Sequence, residues 1–349
     1  MKPDFWKFWA GQTISKLGDS ISWFALPLLI FKLTGSAVNL GLQAAVQMLP
    51  YLLFGLFIGA YVDRVERKPM MIATDVGRAL VMATIPALAL FDALPVWWVY
   101  VVGFVSSTMA IFFDAGEFAA IPSLVPTDDL VTANGRVQAS YSAAQVFGPI
   151  IGGALLAFVA VHDLIWIDAA TFGVSSLSLV LVRSRFNTDE EPPERKPILE
   201  DVKDGLRYVL RHPILRNISI MMAIVNFIAA GTYAEIILFA KERLTATDAA
   251  VGVLFAAGSA GIVVSGLLAG RFRKRWSFSR VALTALVIDG LCIVVFSFQR
   301  SFAIALPLWS VAQGAGILFN INTGSLRQAI VPNRMLGRVL SIASVLAWS

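Results

Sequence analysis

Two carboxylates, Asp114 and Glu117, interrupt the apolar stretch AIFFDAGEFAAIPSLVP, Ala110 to Pro126. At a spacing of three they share one face of a helix. Two like charges in a poorly solvated place cannot both ionise cheaply, so one holds its proton to higher pH and the pair titrates as a unit. That chemistry suits a proton carrier, and the same residues equally suit a bundle stabilised by acids with partners elsewhere. Lys16 and Asp19 repeat the spacing with opposite charges, as do Asp75 and Arg78. The first pair can neutralise itself along its helix. Other chemistries lack their residues. His162 and His212 stand alone, without an H-E-x-x-H pattern or a cysteine partner, and no phosphate-binding glycine loop occurs. No metal site, cofactor or nucleotide hydrolysis is expected. The single cysteine, Cys292, excludes an intrachain disulfide and reads as a small buried residue.

The elements that must position these acids are membrane-spanning helices. Of 349 residues 57% are hydrophobic and 15% charged, with a mean hydropathy of +0.74. Apolar runs of roughly 20 residues, enough to cross a hydrocarbon core, recur along the chain. Turn and charge signals place spans near 8–33, 36–62, 69–92, 95–125, 131–160, 163–184, 214–240, 247–270, 280–299 and 302–327. An eleventh opens near Leu336 and runs to Ser349. The first run is too long for a signal-peptide core. Basic residues gather in alternate loops, among them Arg64, Arg67, Lys68, Arg183, Arg185, Lys274, Arg334 and Arg338, whereas the opposite loops hold Lys32, Lys241, Arg243 and Arg300. The positive-inside rule makes the first side, with the N-terminus, cytoplasmic. Membrane topology thus accounts for the net charge of +5, and no nucleic acid is expected as a partner.

The long polar segment from Ser184 to Asn217 divides the chain. Its part from Asn187 to Pro197 is acidic and proline-bearing, which reads as flexible. From Ile198 onward Leu199, Val202, Leu206, Val209 and Leu210 recur every three or four positions among charges, predicting an amphipathic helix on the membrane surface or against the bundle. Three parts follow: a six-helix bundle at 1–186, a linker at 187–213 and a second bundle at 214–349. The halves repeat. FFDAGEFAAIPSLVP aligns with LFNINTGSLRQAIVP at an offset of 206 residues, and GLFIGAYVDR with GLLAGRFRKR at 211. Asp114 thereby meets Asn320, Glu117 meets Thr323, and Asp63 meets Lys274. Parallel repeats about an axis along the membrane normal are implied.

GAYVDRVERK, Gly59 to Lys68, resembles the loop motif of the major facilitator superfamily. GQTISKLGDSISW, TDVGRAL and DGLRYVLRHPILR are similar to its branch of bacterial macrolide, multidrug and siderophore exporters. The resemblance covers essentially the whole chain. It implies an all-α membrane protein, the major facilitator fold of two pseudo-symmetric six-helix bundles. Two complete bundles need twelve spans, so the sequence is expected to stop within transmembrane helix 11, roughly 50 to 60 residues short. It also implies that Gly59, Asp63, Arg64 and Arg67 form a cytoplasmic gate, Asp63 holding a helix N-terminus or a guanidinium when the gate is closed. The alternative is a turn with topology anchors. In GRVQASYSAAQVFGPIIGG, Gly135, Gly148, Pro149 and Gly152 match the span-five signature of proton-driven antiporters, with Ala144 replacing a glycine. Close helix packing is the plainer account of the same residues. In the superfamily spans one, four, seven and ten line the central cavity, which assigns Asp19, Asp114, Glu117, Asn226, Glu235 and Asn320 to proton coupling or substrate contact. An uncompensated charge near the bilayer centre costs about 2.5 to 3.5 kcal/mol, and such residues usually face water-filled cavities.

The expected function is secondary active transport, not enzymatic: proton-coupled efflux of amphipathic small molecules such as drugs, macrolides or siderophores, by alternating access. An uptake permease or an exporter driven by another gradient is the alternative within transport. A membrane-embedded enzyme or scaffold lacks a visible nucleophile, metal cluster or soluble partner surface. The expected partners are a small-molecule substrate, protons and the lipid bilayer, with the chain acting as a monomer in the cell (inner) membrane.

Overall fold

The computed structural model describes residues 2–187, 197–229 and 232–348, which form helices and no strand. In chain order they are α1 (Pro3–Thr34), α2 (Ala37–Val62), α3 (Arg67–Ala89), α4 (Val96–Leu124), α5 (Leu130–Leu155), α6 (Leu164–Leu181), α7 (Ile198–Arg211), α8 (Pro213–Ala229), α9 (Thr232–Glu242), α10 (Asp248–Arg275), α11 (Phe278–Ser297), α12 (Phe302–Ile330) and α13 (Leu336–Trp348). Local chemistry sets many of these ends. Pro3 starts α1, where its missing N–H costs nothing, and Gly35 ends it at φ +64°, a left-handed conformation that favours glycine. The Thr247 and Ser277 hydroxyls accept from the backbone N–H groups of Ala250 and Arg280, capping α10 and α11.

Among the described residues eight helices are long and apolar enough to cross a membrane: α1 to α4, α6 and α10 to α12. Polar residues such as Asn134, Arg136, Gln138 and Gln145 dilute α5. Expected span seven, 214–240, is divided between α8 and α9, with residues 230–231 outside those described. The expected flexible stretch, Asn187 to Pro197, falls mostly on residues outside the described ones. The repeat is visible in local structure. α4 and α12 have the same length, and both are followed by a short 3-10 turn, Thr127–Asp129 and Asn333–Met335, and a further helix. Each boundary up to the start of that further helix lies 206 residues after its counterpart.

The chain divides into two compact units. The first comprises Met1–Val125, Phe147–Val209 and Val331–Val345. The second comprises Pro126–Val146, Leu210–Ile330 and Leu346–Ser349. These units exchange segments relative to the linear division at 186 and 214, since most of α13 packs with the first and the start of α5 with the second. In the first unit Ile21, Leu26 and Ile30 of α1 meet Met82 and Ile85 of α3, Val99 and Val102 of α4, and Leu164 and Phe172 of α6. In the second, Ile236 and Ala240 of α9 pack with Leu254, Phe296 and Trp309 of α10, α11 and α12. Leu52, Leu80, Phe227, Val287 and Leu291 on these helices are exposed.

Candidate functional site

Within the first unit, polar residues from four helices converge. Lys16 of α1 sits between two acids, its Nζ 3.2 Å from Oδ1 of Asp114 on α4 and 3.8 Å from Oδ2 of Asp19. Asp19 also accepts from Nη2 of Arg78 on α3. The Arg78 Nε donates to the Ser106 hydroxyl on α4 at 3.3 Å, and its guanidinium lies 4.1 Å from the ring centroid of Phe172 on α6. Asp75 does not hold Arg78 as a pair on the same helix. Its carboxylate accepts from the Ser175 hydroxyl, which in turn accepts from Gln12 Nε2 at 2.8 Å. The expected Lys16–Asp19 pair forms, with Asp114 a closer second partner of Lys16, whereas a direct Asp75–Arg78 pair is corrected: Arg78 reaches Asp19. Cross-helix geometry beats same-helix geometry because neighbouring helices aim the longer side chains at each other across the packed interface.

Asp114 and Glu117 differ in surroundings. The Asp114 side chain is 41% exposed, whereas Glu117 is buried. The three second-half candidates lie in the other unit, Asn226 half-buried on α8, Glu235 exposed on α9 and Asn320 exposed on α12. Asp168 escaped the sequence reading. It is buried on α6, where Thr171 Oγ1 donates to it at 3.5 Å and Gly18 of α1 leaves room for both. The signal was present, since LIWIDAATF carries a lone acid in an apolar run. With Asp168 the network holds four carboxylates, Asp19, Asp75, Asp114 and Asp168, against two cations, Lys16 and Arg78. An uncompensated carboxylate is expensive at membrane depth.

A second cluster lies in the first unit where the α2–α3 loop meets the start of α13. Asp63 directly follows α2 and is 3% exposed. Its Oδ1 accepts from the backbone N–H of Gly337 at 2.8 Å, and its Oδ2 from that of Arg338 at 3.0 Å. These are orphan donors of the first turn of α13, so Asp63 caps a helix from a distant part of the chain and meets its positive dipole end. Arg67 Nη2 lies 3.4 Å from Oδ1, and Arg338 Nε 3.5 Å from Oδ2. Burial pushes the Asp63 carboxyl up to about 6, against the downward pull of the Arg338 N–H, the Arg67 charge and the Gly337 N–H. Arg67, 1% exposed, also donates to the carbonyls of Ala119, Phe186 and Asn333. Arg64 is directed to Asp201 of α7, its Nε 2.6 Å from Oδ2, a partner the sequence reading did not identify. Gly59 lets the backbones touch, for a methyl there would stand 2.5 Å from the Gly337 carbonyl oxygen.

The span-five glycines act by close approach too. Gly135 and Gly266 of α10 face each other with no room for a Cβ on either. Gly148 lies against Ser20 of α1, and Gly152 lies 3.0 Å, measured from its would-be Cβ, from the ring of Phe24. Pro149 falls inside α5 between them.

Comparison with known proteins matches this architecture. The family model described as Major Facilitator Superfamily matches residues 8–349. Macrolide efflux protein A of Streptococcus pyogenes is 24% identical over 345 residues, covering 98% of this chain and 85% of that protein. Multidrug efflux pump Tap of Mycolicibacterium fortuitum is 27% identical over 350 residues, covering 95% and 82%. Among solved structures, a bacterial homologue of the iron transporter ferroportin in an outward-facing state superposes with a TM-score of 0.79 at 16% identity, covering 99% of this chain and 89% of that one. The Escherichia coli fucose:proton symporter FucP gives 0.77 at 12% identity, covering 99% and 89%. The helices, their repeat and the family match agree: the chain belongs to the Major Facilitator Superfamily and is a multi-pass membrane transporter rather than an enzyme.

Proposed function

We propose that the protein exports amphipathic small molecules in exchange for protons by alternating access, in the cell membrane with its N-terminus in the cytoplasm. The observation that carries this reading is the position of Lys16 between Asp114 and Asp19, beside an accessible Asp114 carboxylate. A proton arriving at Asp114 cancels the charge that holds Lys16, which then turns to Asp19 one turn along its own helix. Protonation thus becomes a change in which helices are tied together, and a cationic or polar cargo competes for the ionised Asp114. Asp114 lies twelve residues from Pro126, about 18 Å at a helical rise of 1.5 Å per residue, a depth suited to a site opened to each side in turn. Relatives named as macrolide and multidrug efflux proteins support export and a greasy cargo. In this reading Asp63, Gly59, Arg64 and Arg67 form the cytoplasmic gate, closed when Asp63 caps α13. Asn226, Glu235 and Asn320 belong to the cargo side of the cavity.

Reconstitution tests this. Proteoliposomes given a pH gradient, with a fluorescent lipophilic cation or a macrolide as cargo, should accumulate it against its concentration and move protons the opposite way. Accumulation that ignores the pH gradient and follows sodium, or cargo moving in the same direction as protons, would replace the proposal with another driving ion or with uptake.

A further inference from the structure

The linker helix α7 is buried on an unexpected side. An amphipathic surface helix hides its leucines, yet here Leu199, Leu206 and Leu210 are exposed while Asp201, Gly205 and Val209 are buried. Those three recur every four residues and define the docked stripe. An acid enters such a stripe only with partners, because a buried unpaired carboxylate is strongly disfavoured. Asp201 has them on both sides. Its Oδ2 accepts from Nε of Arg64 at 2.6 Å and from Nη2 of the same guanidinium, and its Oδ1 lies 3.0 Å from Nη1 of Arg338. One turn further on, Gly205 lets Arg338 pack tightly, with Cβ of Arg338 3.0 Å and Cδ1 of Ile342 3.1 Å from where a Cβ would stand. The charges therefore alternate along one chain: Arg67, Asp63, Arg338, Asp201, Arg64.

We propose that Asp201 is a positioning residue of the gate: the linker helix holds Arg338 and Arg64 together so that the first turn of α13 is presented to Asp63. This rests on the reading of the α2–α13 contact as a gate. Arg338 is the shared member: its backbone N–H donates to Asp63, its guanidinium pairs in charge with the same carboxylate at 3.5 Å, and its Nη1 lies 3.0 Å from Asp201. α13 cannot leave α2 with its side chain still on Asp201 unless α7 follows or that ion pair breaks. The linker is thus part of the switch, and its state is coupled to which side of the membrane the cavity faces.

The test uses the full chain with Cys292→Ala and a reporter, Ser341→Cys, whose position is buried against Gly59. Asp201→Asn should raise the rate of thiol labelling at 341 about five- to tenfold, the range expected for a coupled contact. In vesicles it should change the KM for cargo loaded from the cytoplasmic side more than kcat. Asp201→Glu should restore both. Combining Asp201→Asn with Arg338→Gln should add little to either alone. If Asp63→Asn raises labelling and Asp201→Asn leaves it unchanged, the gate reading survives and the proposal is wrong. If neither changes it, the α2–α13 contact is not the gate. Equal loss from Asp201→Asn and Asp201→Glu, with only the melting temperature moving, would reduce α7 to a structural brace and also overturn the proposal.

Discussion

Two helix contacts in this molecule are built on one plan and finished differently. In the first unit α2 meets α13 through Gly59 and Gly337. In the second α10 meets α5 through Gly266 and Gly135, with Gly270 close to Thr132. The repeat relates them, since Gly59 corresponds to Gly270 at an offset of 211 and Ser341 to Gly135 at 206. Both contacts need small residues for the backbones to touch. The first adds an acid: Asp63 caps α13 and lies against two guanidiniums. Its counterpart Lys274 is exposed, and beside the α10–α5 packing α5 is tied to α12 by neutral hydrogen bonds, Asn134 Nδ2 donating to the Ser325 hydroxyl at 2.9 Å and to the Gln328 side chain. Duplication therefore supplied the packing twice and the electrostatic latch once. A latch with a few strong, geometry-dependent bonds releases all at once, whereas apolar backbone packing yields gradually.

Substituting the shared feature should do most damage. Gly59→Leu and Gly266→Leu each drive a side chain into an opposing carbonyl and should destabilise the protein by about 3 kcal/mol or more, measured as loss of folded protein on heating in detergent. If Gly266→Leu were harmless, the second contact would not be a packed one. Asp63→Asn comes next, because it leaves Arg67 buried without its acid. It should weaken the α2–α13 contact by about 3 kcal/mol, read as faster thiol labelling at position 341, while cargo binding persists. Normal labelling and normal transport in that variant would make the loop a topology anchor. The smallest effect belongs to Lys274→Asp, under about 0.5 kcal/mol, since an exposed acid beside the exposed Arg271 and Arg275 gains only a solvent-screened pair and cannot recreate a buried latch.

How much of this the sequence disclosed depends on whether one helix held the whole signal. The α4–α12 repeat was legible from an offset of 206 because composition alone marks span ends. The Asp63 contacts with a helix N-terminus and a guanidinium were reachable through the resemblance carried by GAYVDRVERK, since the residues alone read equally as a turn with topology anchors. Arg78 misled, since spacing along α3 points to Asp75 while packing delivers Asp19. Asp201 was hidden for the same reason in stronger form. The leucine pattern of α7 predicts which face is apolar, and nothing in it states that the docked face would be the one with the acid. Asp168 was readable by the criterion that chose Asp114, and was missed because its span lies outside the group expected to line the cavity.

The central claim is that Asp114 couples export to the proton gradient, and one measurement bears on it most directly: cargo movement in proteoliposomes containing the parent, Asp114→Asn, Asp19→Asn or Glu235→Gln, with and without an imposed pH gradient. Asp114→Asn, unable to exchange a proton, should retain downhill exchange of cargo and lose uphill, pH-driven accumulation. Accumulation by Asp114→Asn equal to the parent's, with failure of Asp19→Asn or Glu235→Gln, would contradict the account and move the coupling acid to α1 or α9.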